Sequence, residues 1–210
     1  MGVGSRFADS YRPLATDGRI MSAPVVIPGG RDVRGRLDSP DADSAVVACP
    51  PHPQHGGSRA DPRLRAVSDA LAPEVACLRF DYGDWDGGEG ETVDAGNALS
   101  WAADRFRRVG LFGYSFGAGV ALRAAARADA PPDACSVLAP PGDAGAVLHS
   151  VECPVQVVVG ERDAAVEWAP VADRAAALGH AVERLSATHQ FSGDRDRVGR
   201  VVGRFLRARR

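Results

Sequence analysis

Five residues, Gly113-Tyr114-Ser115-Phe116-Gly117, constrain what the chain around them can become. A short apolar run, Val109 to Phe112, leads into them, and Ala118-Gly119-Val120-Ala121-Leu122 leads out with a helical pattern. A strand that turns at once into a helix through Gly-x-Ser-x-Gly has the form of a nucleophile elbow. The requirement is steric. The serine sits in a tight turn, and side chains at the flanking glycine positions would strike the strand and the helix. Its hydroxyl then stands clear at the mouth of the helix. There the Phe116 amide and the positive end of the helix dipole can face a developing oxyanion. The pentapeptide also fits a glycine-rich turn in which Ser115 merely caps the helix, so the rest of the chain has to discriminate.

Apolar runs supply the frame. Pro24–Pro28 and Asp32–Leu37, either side of Gly29-Gly30, read as an antiparallel hairpin. Further strands are expected at Ala45–Cys49, Val75–Phe80, Val109–Gly113, Ala134–Leu138, Pro154–Val159 and Ala181–Leu185. Helices fall between them. One starts at Pro62 behind an Asp61 N-cap and ends before Pro73. The spacing of Ala95, Ala98, Leu99, Ala102 and Phe106 predicts a second over about 92–106. The elbow helix runs to about 128, a short helical segment reaches His149, and Pro170–Leu178 closes on Gly179. Val198, Val201, Val202 and Phe205 form the apolar face of the last. This alternation implies right-handed crossovers and an α/β fold: a doubly wound, mostly parallel eight-stranded sheet with helices on both faces.

In such sheets reactive groups collect at the carboxyl ends of the strands, so partners of Ser115 should lie just past later strands. Of the five histidines, His52, His55, His149, His180 and His189, only His189 follows the final strand directly. That is where the chain order Ser, acid, His places the base. Asp163, three residues past Gly160, is the favoured acid to orient it, with Glu161 and Asp143 as alternatives. A second oxyanion amide is expected from the loop His52-Pro53-Gln54-His55-Gly56-Gly57. Pro51 and Pro53 have no N–H, which leaves His52 or Gln54, with Gln54 preferred. Cys49-x-x-His52-x-x-His55 has spacing a metal could use, but it lacks a second ligand pair, and no metal is expected.

Composition narrows the class. At 210 residues with a net charge of −2, the chain suits one soluble domain with no general attraction to nucleic acid or an anionic membrane. Residues 1–22 carry scattered charges and no apolar core of a signal peptide, and read as a loosely ordered extension to a domain over 23–210. Cys49, Cys77, Cys135 and Cys153 each sit in or beside an apolar run, as core filler would. A cytoplasmic location is the default expectation.

Taken with Ser115, Asp163 and His189, five motifs in order make the chain resemble the α/β-hydrolase superfamily over about residues 23–207. It looks most like the small capless hydrolases distantly related to dienelactone hydrolase. The motifs are His52-Pro53-Gln54-His55-Gly56-Gly57, Arg79-Phe80-Asp81-Tyr82, the elbow itself, Gly160 to Asp163, and Thr188-His189-Gln190-Phe191. The resemblance implies a serine hydrolase acting on an ester, thioester or similar acyl bond of a small molecule, without cofactor, as monomer or homodimer. A non-catalytic binding scaffold and an acyltransferase are the rival readings. Dienelactone hydrolases use a cysteine nucleophile, so Ser115 points away from that activity. Too few residues separate Leu138 from Pro154 for a cap domain. The site is therefore expected to be open, with His52, His55, Tyr82, Trp85 and Tyr114 contacting substrate and Trp168 and Phe191 near its border.

Overall fold

The computed structural model describes residues 21–208, and its elements follow from the patterns above. A hairpin, β1 (Ser22–Ile27) and β2 (Val33–Asp38), pairs antiparallel and joins β4 (Ala76–Asp81) in the same sense. The remaining strands run parallel: β3 (Ser44–Cys49), β5 (Arg108–Tyr114), β6 (Ala134–Leu138), β7 (Val155–Gly160) and β8 (Ala181–Leu185). The sheet order is β1-β2-β4-β3-β5-β6-β7-β8, so β3 and β5 lie at its centre, buried on both faces. Continuous apolar strands are what two covered faces require.

Helices α1 (Pro62–Leu71) and α5 (Arg195–Arg207) cover one face, through Leu64, Val67, Val198 and Val202. Helices α2 (Glu89–Ala103), α3 (Phe116–Arg127) and α4 (Trp168–Ala177) cover the other. Asp61 caps α1 by accepting the Arg63 amide at 2.8 Å, with Pro62 opening the helix. The connection from β6 to β7 contains only two short 3-10 turns, Gly142–Ala146 and Leu148–Ser150. No cap domain rises there.

Helix α2 begins three residues earlier than the apolar spacing implies. The cause is Glu91, fully buried, whose carboxylate accepts the amides of Gly88 at 2.7 Å and Asp86 at 2.9 Å. A charged residue that caps its own helix is invisible to a search for apolar periodicity. The expected extension over 1–22 falls outside the described residues as far as position 20, and Ser22 already belongs to β1. Among the described residues no helix is long and apolar enough to cross a membrane.

Candidate active site

Strand β5 delivers Ser115 at the carboxyl end of the sheet in a backbone conformation of φ 55°, ψ −122°. A non-glycine residue there is strained, and its surroundings must hold it. They do so closely. The Ser115 amide donates to the Leu138 carbonyl at 2.9 Å, and its carbonyl accepts the Ala118 amide at 2.9 Å. A Cβ at Gly117 would stand 2.3 Å from the carbonyl oxygens of Cys49 and Pro50. The elbow is thus pressed against the loop that follows β3.

The loops after β7 and β8 bring the other two residues to the same point. The Ser115 hydroxyl lies 3.0 Å from His189 Nε2, and His189 Nδ1 lies 2.7 Å from Asp163 Oδ2. With the carboxylate accepting from Nδ1, the ring proton sits there and Nε2 is left to accept from the serine. Asp163 is 8% exposed, and its Oδ1 accepts the amides of Ala165 at 2.8 Å and Val166 at 3.3 Å. Both lone-pair directions are engaged, which fixes the plane of the carboxylate. The Tyr114 hydroxyl donates to the His189 carbonyl at 3.1 Å and holds that loop in turn. Neither alternative acid approaches His189: Glu161 is exposed and accepts from the Ser186 hydroxyl, and Asp143 lines a different wall.

Ser115 sits at the waist of an open cleft with two lobes, of about 450 Å³ and about 520 Å³. His52 and His55 border both. The first lobe is completed by Gly88, Glu89, Phe116, Arg123, Pro141 and Asp143. The second is completed by Asp61, Arg63, Tyr114, Val166, His189 and Gln190. His52 stacks on His55 and on Trp85, ring centroids 4.4 Å apart in each case, and lies 4.9 Å from Phe116. Burial and the neighbouring His55 hold its pKa below the ordinary value, against the opposing charge of Glu91.

Five residues expected at or near the site line neither lobe: Gln54, Tyr82, Trp85, Trp168 and Phe191. Tyr82 is buried and lines neither lobe; its hydroxyl donates to the Pro50 carbonyl at 3.1 Å, and its ring meets Phe116 edge-on. It props the elbow and the loop after β3. Gln54 is exposed in the 3-10 turn Pro53–His55 and also lines neither lobe. Trp168 and Phe191 pack into the two hydrophobic layers. Within the loop, the amides of His55, Gly56 and Gly57 bond back to His52 and Pro53 carbonyls. Those of His52 and Gln54 have no such partner among the described residues. Arg63 and Arg123 are the cleft residues that the strand-end search passes over, because both project from helices.

No protein-family model and no curated protein matches the sequence. Solved structures do. An alpha-beta serine hydrolase homologue of Coxiella burnetii superposes with a TM-score of 0.76 at 23% identity, over 88% of this chain and 97% of that one. An esterase of Pyrococcus furiosus gives 0.77 at 19%, over 90% and 93%. Dienelactone hydrolase of Anabaena variabilis gives 0.72 at 22%, over 90% and 98%. Sheet order, helix layers and these superpositions agree: the chain has the α/β-hydrolase fold.

Proposed function

We propose that the protein is a serine hydrolase that cleaves an ester, thioester or similar acyl bond of a small molecule by way of an acyl-enzyme. The observation that carries this is the unbroken chain from Ser115 Oγ through His189 to Asp163, at 3.0 and 2.7 Å, on a strained elbow at an open cleft. Asp163 orients His189 and stabilises the imidazolium. As Ser115 Oγ bonds to the substrate carbonyl carbon, His189 Nε2 takes the hydroxyl proton. The carbonyl oxygen becomes an oxyanion. The Phe116 amide, in the first turn of α3 and without an intrahelical acceptor, receives it. The second donor is the His52 amide: His52 borders Ser115 in both lobes, and Gln54 in neither.

Collapse of this intermediate breaks the bond to the leaving group, which takes the proton from His189. Water, deprotonated by His189, then releases the acid and restores the serine. Because His189 must reach the departing atom, the lobe it lines holds the leaving group. The lobe beside Phe116 and away from His189 holds the acyl group.

The test is labelling with a fluorophosphonate probe, comparing wild type with Ser115→Ala and His189→Ala. Wild type should label at Ser115 and both variants should not. A folded wild type that fails to label overturns the hydrolase and leaves a binding scaffold on the same fold.

A further inference from the structure

Helix α3 carries one charged side chain between Phe116 and Ala126, and that residue, Arg123, lines the lobe assigned to the acyl group. Side chains on a helix tilt toward its N-terminus. Arg123, eight residues and about 12 Å of helix rise beyond Ser115, therefore leans back toward the nucleophile. Its path is open because the intervening turn presents Gly119. A Cβ there would lie 3.2 Å from Arg123 Nη1, and one at Gly88 across the lobe would lie 3.5 Å from Nη2. Nε donates to Thr92 Oγ1 at 3.2 Å, and the Thr92 hydroxyl donates in turn to the Gly88 carbonyl at 2.7 Å. The guanidinium is thereby fixed by a neutral partner, while Nη1 and Nη2 have no acceptor among the described residues.

The contrast with its neighbours is informative. Arg127, one turn further on, donates to Glu89 at 2.7 and 3.2 Å, so Glu89 feels the Arg123 charge without bonding to it. Asp143, in the same lobe, is exposed and makes no ion pair with Arg123. A planar cation with two free N–H edges, held in a lobe that shares its floor with the nucleophile, suits a planar anion.

We propose that Arg123 is a specificity residue and that the acyl group of the substrate ends in a carboxylate, so that the enzyme cleaves half-esters or half-thioesters of short dicarboxylic acids. This rests on the hydrolase reading above. Attack by Ser115 and release by water proceed as already described; the distal carboxylate changes no bond and is held by Nη1 and Nη2.

The experiment compares kcat/KM for 4-nitrophenyl hemisuccinate and 4-nitrophenyl butyrate in wild type, Arg123→Lys and Arg123→Met. The expected ratio favours the hemisuccinate by about 10–100-fold in wild type, the worth of a charge-assisted pair. It should shrink in the lysine variant and fall to one or below in the methionine variant, mainly through KM. A second measurement needs no variant and no turnover: succinate should slow fluorophosphonate labelling of wild-type Ser115 at concentrations at least about tenfold below those needed for succinamide. A wild-type ratio near one, a ratio that survives Arg123→Met, or equal protection by succinate and succinamide overturns the assignment. Equal losses on both esters would mean that Arg123 only braces Thr92. Labelling that never occurs removes the hydrolase reading instead.

Discussion

The two lobes of the cleft are built in parallel ways but leave their arginines differently engaged. Each has a wall made from a loop tied down by buried acids and an arginine. On the leaving-group side, Arg79 Nε donates to Asp38 at 2.7 Å while Nη1 donates to the Arg59 carbonyl at 2.5 Å, and Arg59 pairs with Asp81. Ser68 adds a hydroxyl to Asp38 at 2.7 Å. On the acyl side, Arg31 at the tip of the β1–β2 hairpin pairs with Asp94 at 2.9 Å and lies 3.7 Å from Glu91. Those two acids take the amides of Gly83, Asp86 and Gly88. The arginines that line the two lobes then diverge. Arg63 is engaged by Asp61 at 2.6 Å and lies over the Tyr114 ring at 4.4 Å. Arg123 donates, among the described residues, to a threonine hydroxyl alone. The lesson is that cleft charge is decided by what each cation already touches, not by a count of basic residues.

If the lobes divide the substrate between them, damage at the waist should affect all substrates alike. Asp163→Asn is the sharpest form of this test. The amides of Ala165 and Val166 hold Oδ1, so an asparagine keeps its oxygen there and turns its NH2 toward His189 Nδ1. That forces the ring proton onto Nε2, where it can no longer accept from Ser115. A loss of about 10⁴-fold in kcat is expected, equal for hemisuccinate and butyrate esters, with little change in KM. A loss that depends on the acyl group would break the division.

The two walls should separate by pH. Removing the cation from either network leaves buried carboxylate behind, at about 3–5 kcal/mol, so Arg79→Met and Arg31→Met should each lower the midpoint of urea unfolding at neutral pH. Their acid recovery differs. Burial pushes Asp38 up, but hydrogen bonds from Arg79, Ser22 and Ser68 and the Arg79 charge outweigh it, and its pKa lies below the ordinary carboxylate value. Such a group stabilises the fold above its unfolded pKa of about 3.9 and loses that effect as pH falls through the depressed folded value. For Asp94, burial outweighs Gly83 and Arg31, and its pKa lies above the ordinary value. Its contribution is present below about 3.9 and lost as pH rises through the raised value. On acidification Asp94 is therefore protonated first. The Arg31→Met penalty should vanish at a higher pH than the Arg79→Met penalty, and unfolding across a pH series that shows the reverse order would refute the assigned directions.

Strand-end logic made the sheet and three site residues legible. Ser115, Asp163 and His189 each sit within four residues of a strand terminus, where motif and topology reinforce each other. Tyr82 was misplaced for want of a third dimension, and Gln54 lines neither lobe. Tyr82 could have been read better: it continues the alternation of Leu78 and Phe80, which face the α2–α3 layer. The choice of His52 over Gln54 depends on how a 3-10 turn faces the cleft, which no spacing encodes. Arg123 left a trace, the first charge on a helix whose preceding residues from Phe116 to Leu122 are all uncharged, four residues after a glycine. That trace becomes meaningful only when helix tilt is combined with Gly119 and Gly88, whose missing side chains leave room for the guanidinium at 3.2 and 3.5 Å.

The smallest effect tests the finest detail of the comparison. Tyr114→Phe removes one hydroxyl, the donor to the His189 carbonyl at 3.1 Å, and leaves the ring beneath Arg63 in place. Burial pushes the phenol pKa up to about 12, so the donor is present throughout the working pH range. Losing a neutral hydrogen bond of this kind costs about 1 kcal/mol, which here loosens the loop that aims Nε2 at Ser115. A fall in kcat of less than tenfold is expected, with KM unchanged and the hemisuccinate-to-butyrate ratio intact. Because Tyr114 lines only the leaving-group lobe, a shift in that ratio would show that the two lobes communicate through His189 and are not independent recognition sites.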